Sequence, residues 1–349
     1  MRQKLGMGKL RLVLALLVVF SHIRLEYFTN LGWDPGSIGR YNSGSVAVVN
    51  FFAISGFVMA ALWEKYFESG REVNRLKKIG IFYVDRLVRL FPQLFFYSVV
   101  ALFFIQILNI QSSHWENIDL GVLIRNLTML PLGFNMFLNP RTLLIPQAWS
   151  LGLELTFYAT IPFLLHKLNW KRIYFLGYLS MAFFLLPYFG LLNPFWYGYQ
   201  LLPGVFFIFV IGISSNDSSI NRKKTYMILC RLFSGSLLAY FYINPKLYEM
   251  QFNKEVLLGA FIATFLVPNF SNKSSRWDKW CGDLSYGVFL NHVILATLMG
   301  EYLPHFGSRR VGAVLLVASS ITLSAFSFIL VEQRSLVFRR KVRLLIQKQ

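Results

Sequence analysis

Apolar windows of bilayer-spanning length recur from one end of this sequence to the other, separated by short polar connections. A hydrocarbon core of ~30 Å takes about 20 mainly apolar residues as a helix. Such windows fall near 10 to 28, 44 to 63, 90 to 110, 148 to 166, 173 to 190, 195 to 213, 225 to 243, 254 to 270, 284 to 303 and 311 to 331. In hydrocarbon every backbone polar group needs an internal partner, so spans of this kind are helical. The expected fold is therefore all-α, a polytopic membrane bundle of about ten transmembrane helices. The whole chain, 1–349, is expected to form a single transmembrane domain with no appended soluble domain.

Charge supports this reading. Hydrophobic residues make up 55% of the sequence and charged residues only 15%, too few to cover a soluble protein of this size. The formal charge is +19, and most of the 35 Lys and Arg lie in the connections that share a side with the two termini. By the positive-inside rule both termini are expected to be cytoplasmic. The same rule accounts for the excess of positive charge without a nucleic-acid partner. Two isolated cysteines, Cys230 and Cys281, offer neither a disulfide framework nor a metal site. The first apolar run lacks a small-residue cleavage pattern and is expected to stay as an uncleaved span. The long connection at 111–147, with Pro131, Pro140 and Pro146, is expected to pack over the helices.

Ionisable side chains inside hydrocarbon cost several kcal/mol, so those that occur there mark cavities, pathways or reaction centres. His22, Glu154 and His292 are the residues to explain. Arg11 and His22 are eleven residues apart, about three turns, so they share one helix face with a rise of ~16 Å between them. Counted from the window edges, His22 is ~18 Å from the inner edge and Glu154 ~9 Å from the outer edge, which puts both in the outer half. His292, ~12 Å from the inner edge, is expected to be the weaker partner for His22. Arg86 and Arg89 are spaced i, i+3 and present two guanidinium groups on one face at the cytoplasmic rim. The planar fork of Arg suits phosphate, although topology anchoring explains these residues as well. A lone membrane His also has an ordinary role as a hydrogen-bonding group between helices.

Five segments occur in order: RLVLALLVVFSH (Arg11 to His22), FFAISGF (Phe51 to Phe57), RLVRLFP (Arg86 to Pro92), WSLGLELTFY (Trp149 to Tyr158) and LSYGVFLNH (Leu284 to His292). In combination they resemble the acyltransferase 3 family of membrane O-acyltransferases. The resemblance implies Arg11 as an essential arginine, His22 as the catalytic histidine, Arg86 and Arg89 as the R-x-x-R pair and Glu154 as the acidic residue of W-S-L-x-x-E. It also implies acceptor or acyl-chain contacts from Ser55, Gly56, Phe57, Trp149, Ser150, Tyr158, Tyr286 and His292. Leu12, Leu155 and Thr156 depart from the family pattern at positions that bear on the acceptor.

The implied reaction is transfer of an acyl group, acetyl above all, from acyl-CoA to a hydroxyl of a cell-surface carbohydrate such as O-antigen, capsule or exopolysaccharide. The implied location is the inner membrane of a bacterium. Acetyl-CoA enters as co-substrate, and no permanently bound cofactor or metal is expected. The partners are the CoA thioester, a carbohydrate acceptor and membrane lipid; oligomeric state is open. In this scheme His22 activates the hydroxyl, Glu154 holds the imidazole, and Arg11, Arg86 and Arg89 keep the CoA phosphates at the rim. An acyl-imidazole on His22 is the two-step alternative. A transporter or flippase built on a His and Glu relay is the rival from a different class.

Overall fold

The computed structural model describes residues 5–27, 37–38, 41–64, 75–110, 115, 118–137, 143–165, 169–248, 250, 252–271, 275–302 and 309–347. Pro140 and the whole 65–74 connection lie outside the described residues. The fold is all-α. In chain order the helices are α1 (Met7–Tyr27), α2 (Ser43–Trp63), α3 (Arg75–Gln106), α4 (Leu120–Thr128), α5 (Trp149–Leu164), α6 (Trp170–Leu185) and α7 (Leu202–Ile213). They are followed by α8 (Ile220–Ile243), α9 (Pro245–Tyr248), α10 (Asn253–Leu266), α11 (Arg276–Tyr302), α12 (Arg309–Ser327) and α13 (Gln333–Gln347). Two short ladders add to these: β1 (Leu5–Gly6) runs parallel to β4 (Phe270–Ser271), and β2 (Ser37–Ile38) is antiparallel to β3 (Tyr41–Asn42).

Each apolar window of the sequence falls on one of these helices. Among the described residues six helical segments are long and apolar enough to cross a bilayer: 43–63, 75–106, 170–189, 196–216, 220–243 and 311–344. The other four windows fall on helices that are short, α5 and α10, or that carry polar and charged residues along their length, α1 and α11. The chain is an integral membrane protein.

Side-chain caps start several helices where the sequence supplies them. Asn42 Oδ1 accepts from Ser45 N at 2.9 Å to open α2, and Asp119 Oδ1 accepts from Val122 N at 2.6 Å to open α4. Such caps satisfy amide groups that the first turn leaves without helical partners. Pro92 sits inside α3 and Pro162 inside α5, positions that membrane helices tolerate when neighbours restore the lost hydrogen bond.

Two features of the packing position the site. The first is a parallel pair, α1 beside α11. Lys9 N donates to Asp278 Oδ1 at 2.9 Å near their starts, and His22 meets His292 further along both helices. The second is the connection before α5, which folds into the bundle as well as over it. Gln147 Nε2 donates to the backbone oxygens of Phe289 (2.7 Å) and Leu290 (3.0 Å), halfway along α11. Asn126 Oδ1 accepts from Leu144 N at 3.0 Å, and a short 3-10 segment, Leu130–Phe137, lies against α5. Gly133 and Gly152 make that approach possible, since a Cβ at Gly152 would stand 2.3 Å from Gly133 N. The first turn of α5 therefore begins at the mid-height of α11.

Candidate active site

One end of the bundle holds a cavity of about 360 Å³ whose wall includes Arg11, Arg86, Arg89, Arg339 and Arg343 together with Glu154 and Asp283. Three helices supply these arginines: α1 (one), α3 (two) and α13 (two). Isolated guanidinium groups at this density would repel one another, and buried carboxylates hold them in place. Asp85, fully buried on α3, accepts from Arg86 Nε at 3.0 Å, from Arg339 Nε at 3.1 Å and from Arg343 Nε and Nη2 at 2.8 and 3.0 Å. Glu332 pairs with Arg89 and accepts from Gln93 Nε2 at 2.6 Å. A π-helical turn at Phe328–Glu332, between α12 and α13, carries Glu332. Widened turns of this kind are common at functional sites.

Glu154 accepts hydrogen bonds from Ser55 Oγ on α2 and from Tyr158 OH one turn along α5. The ring of Tyr158 lies 5.9 Å from the Arg86 guanidinium carbon, and Tyr286 stands 5.4 Å from that of Arg89. Tyr286 also donates to Leu90 O at 2.9 Å, tying α11 to α3. Ser55, Ser150, Tyr158 and Tyr286 line the cavity with the arginines.

The wall also carries apolar side chains, Val48, Phe51, Phe52 and Phe289 among them, and does not include His22 or His292. Phe51 and Phe289 meet edge to face at 6.1 Å, and Phe289 stands 6.3 Å from the ring of His292. His292 is fully buried, and its Nε2 lies 3.3 Å from His22 Nδ1. The two rings have centroids 5.0 Å apart at 54°. His22 Nδ1 also lies 2.9 Å from Val18 O, and His292 Nδ1 lies 3.1 Å from Val288 O.

Three expectations change. His292 is the contact partner of His22, not the weaker candidate. Its height was counted from the apolar window at 284, whereas α11 begins at Arg276. Measured from the helix starts, His22 is ~22 Å and His292 ~24 Å along, so the two meet. Glu154 does not orient His22: its hydrogen bonds go to Ser55 and Tyr158, and it belongs to the arginine cavity. The depth count placed the start of α5 at the bilayer edge, while Gln147 fixes it midway along α11.

Gly56 and Phe57, expected among the substrate contacts, stand in helix packing and are not among the residues that line the described cavity. A Cβ on Gly56 would stand 2.0 Å from Phe209 O, and one on Gly212 2.0 Å from Ala53 O, so these glycines let α2 and α7 touch backbone to backbone. Phe57 packs edge to face on Phe270 at 5.3 Å. Trp149 packs on Tyr199 at 4.9 Å and is not part of the described cavity wall.

Sequence reasoning passed over Asp85, Asp283, Glu332, Arg339 and Arg343. Asp85 stands next to Arg86, and Arg339 and Arg343 are spaced i, i+4, a pattern that marks one helix face but does not say what the face meets.

Comparison with known proteins identifies the family. Two curated relatives are informative. An uncharacterized protein of Aquifex aeolicus (strain VF5) is 29% identical over 159 residues, covering 43% of this chain and 69% of the relative. The peptidoglycan O-acetyltransferase OatA of Listeria monocytogenes serovar 1/2a (strain ATCC BAA-679 / EGD-e) is 26% identical over 353 residues, covering 88% of this chain. The chain spans only 53% of that protein's length. No solved structure matches the chain significantly. The family model of the acyltransferase 3 group, described as an acyltransferase domain, matches residues 8–330, nearly the whole sequence. The chain therefore belongs to the acyltransferase 3 family, enzymes that transfer acyl groups other than aminoacyl groups.

Proposed function

We propose that this protein is a membrane O-acetyltransferase that takes its acyl group from acetyl-CoA on the cytoplasmic side and delivers it to a hydroxyl of a cell-surface carbohydrate. The observation that carries this reading is the cavity itself, whose wall combines five arginines with apolar side chains, one of which, Phe289, stands 6.3 Å from the ring of His292 in the imidazole pair. A CoA thioester has the same polarity. Its phosphates match the arginines, and the thin pantetheine arm matches the apolar side chains of Val48, Phe52 and Phe289, while Arg11 and His22 are separated by ~16 Å along one helix. The activity named for the Listeria relative, peptidoglycan O-acetylation, supports an acetyl group and a glycan acceptor.

In this reading about ten spans cross the inner membrane of a bacterium, with both termini and the arginines cytoplasmic. Arg11, Arg86 and Arg89 bind the donor, and Arg339 and Arg343 add to that anion site. His22 acts as the base. The acceptor oxygen attacks the thioester carbonyl while its proton passes to His22 Nε2. The C–S bond then breaks, and the same proton leaves the imidazolium for the departing thiolate. An acyl-imidazole at His22, formed and then resolved by the sugar hydroxyl, uses the same groups in two steps. Glu154, hydrogen-bonded to Ser55 and Tyr158, fixes two polar side chains on the cavity wall.

The test incubates membranes containing the wild-type protein or His22→Ala with acetyl-labelled CoA and host glycans, and follows label into alkali-labile ester. Ester formation that depends on His22 supports the reading. Absence of transfer to a broad acceptor set, from protein shown to be folded, overturns it in favour of transport.

A further inference from the structure

We infer that His292 is the positioning residue of the reaction centre: its Nε2 accepts the Nδ1 proton of His22, so an imidazole does here what a carboxylate does in a hydrolase triad. The inference rests on the proposed role of His22 as base.

Proton bookkeeping at the pair leads to this assignment. A carbonyl oxygen only accepts hydrogen bonds, so a ring nitrogen that bonds one must carry hydrogen. His292 Nδ1 lies 3.1 Å from Val288 O and is therefore N–H. By the same argument His22 Nδ1, 2.9 Å from Val18 O, is N–H. The remaining nitrogen of His292, Nε2, lies 3.3 Å from that N–H. Were His292 doubly protonated, two N–H groups would face each other across this distance, one of them on a fully buried ring. A neutral His292 with its lone pair on Nε2 removes the conflict. The His22 Nδ1 proton is then shared between Val18 O and His292 Nε2.

Two consequences follow for chemistry. The tautomer of His22 is fixed with its lone pair on Nε2, the nitrogen that takes the acceptor's proton. When His22 becomes an imidazolium, its Nδ1–H still has two acceptors, so the new positive charge arises beside a lone pair and a carbonyl dipole. The surroundings hold both rings in register. Asn291, next to His292, donates to Ser320 O at 2.9 Å, and α1 and α11 are locked in parallel by Lys9 and Asp278. Triad carboxylates act in the same way on tautomer and charge. An uncharged acceptor, however, avoids placing a carboxylate in the apolar mid-bundle, where an ion is costly.

Kinetics and spectroscopy test this separately. His292→Phe keeps an aromatic ring and removes the acceptor, whereas His292→Gln restores an acceptor oxygen. For His292→Phe, kcat should fall on the order of 10²-fold while donor KM stays within about twofold; His292→Gln should recover at least about tenfold of the loss. Equal losses in both variants, with donor binding intact, would reduce His292 to a packing residue and overturn the inference, as would a Phe variant with wild-type kcat. A second measurement needs no activity and no variant at His292. With only five histidines in the chain, 15N-imidazole spectra of the wild-type protein, assigned by the signal lost in His22→Gln, report the tautomer directly. His22 should show a pyrrole-type Nδ1 and a pyridine-type Nε2, and the reverse pattern would refute the pair. If no acceptor is ever acylated, the proposed function fails while the spectrum still decides the pairing.

Discussion

The arginine cavity and the histidine pair solve the same problem in opposite ways. Both hold ionisable side chains within an apolar bundle, where an uncompensated charge is expensive. At the cavity the charges are kept and neutralised: Asp85 takes three arginines, and Glu332 takes Arg89. At the pair the charge is avoided: two imidazoles satisfy each other and two backbone carbonyls while remaining neutral. The difference matches the tasks proposed for them, because a standing positive field suits an anionic donor, while a base must be neutral before it takes a proton.

Several substitutions would break or sharpen this contrast. The largest effect is expected at the neutral end. His22→Ala should lower ester formation on the order of 10³-fold or more with little change in thermal stability, measured as labelled ester and thermal midpoint side by side. An equal fall in both quantities would make the pair structural. Next comes the charged end, where the expectation is inverted. Asp85→Ala leaves Arg86, Arg339 and Arg343 without their shared counter-ion and should destabilise the protein by about 3–5 kcal/mol, read from denaturation in detergent or bilayer. A variant of wild-type stability would mean that the carboxylate is not what holds α13 against α3.

A smaller effect separates binding from turnover. Arg339→Gln removes one charge-assisted contact from the anion site and should raise donor KM about tenfold with kcat nearly unchanged. A kcat loss at saturating donor would place this arginine in the chemical step instead. The smallest effect lies outside both regions, in the connection between α7 and α8. Burial acts to raise the Asp217 pKa, but the Arg222 guanidinium, the Ser219 amide and the Tyr174 hydroxyl outweigh it and hold the carboxyl below its usual range. A depressed folded-state pKa contributes stability that is present above the unfolded value of about 3.9 and lost as pH falls through the folded one. Asp217→Asn should therefore lower the thermal midpoint slightly at neutral pH and flatten its decline below about pH 4 by the same amount. An unchanged decline would remove the clasp from the acid response.

Much of the molecule was legible in the chain. The apolar windows name the helices because lipid leaves no other solution for such runs. The eleven-residue step from Arg11 to His22 fixes their common face because both ride one helix, so the geometry is local. Glu154 was legible as a site residue but not by its partners. Its assignment to His22 came from depths counted at window edges, and that count missed two turns of α11 below Leu284 and the entry of Gln147 into the bundle. Asp85, Glu332, Arg339 and Arg343 read as ordinary rim charges because their significance lies in convergence from α3, α12 and α13.

By itself, then, the sequence determined an all-helical membrane protein, the positions of its main helices, and an arginine and a histidine spaced along one helix face. Only the tertiary structure decided that His22 meets His292 and that Glu154 joins the arginines. Helix formation is a local response of the backbone to an apolar solvent and is written in periodicity and length. Which side chains meet across helices depends on where each helix begins and how closely glycine pairs such as Gly133 and Gly152 let neighbours approach, and neither is a property of any one segment.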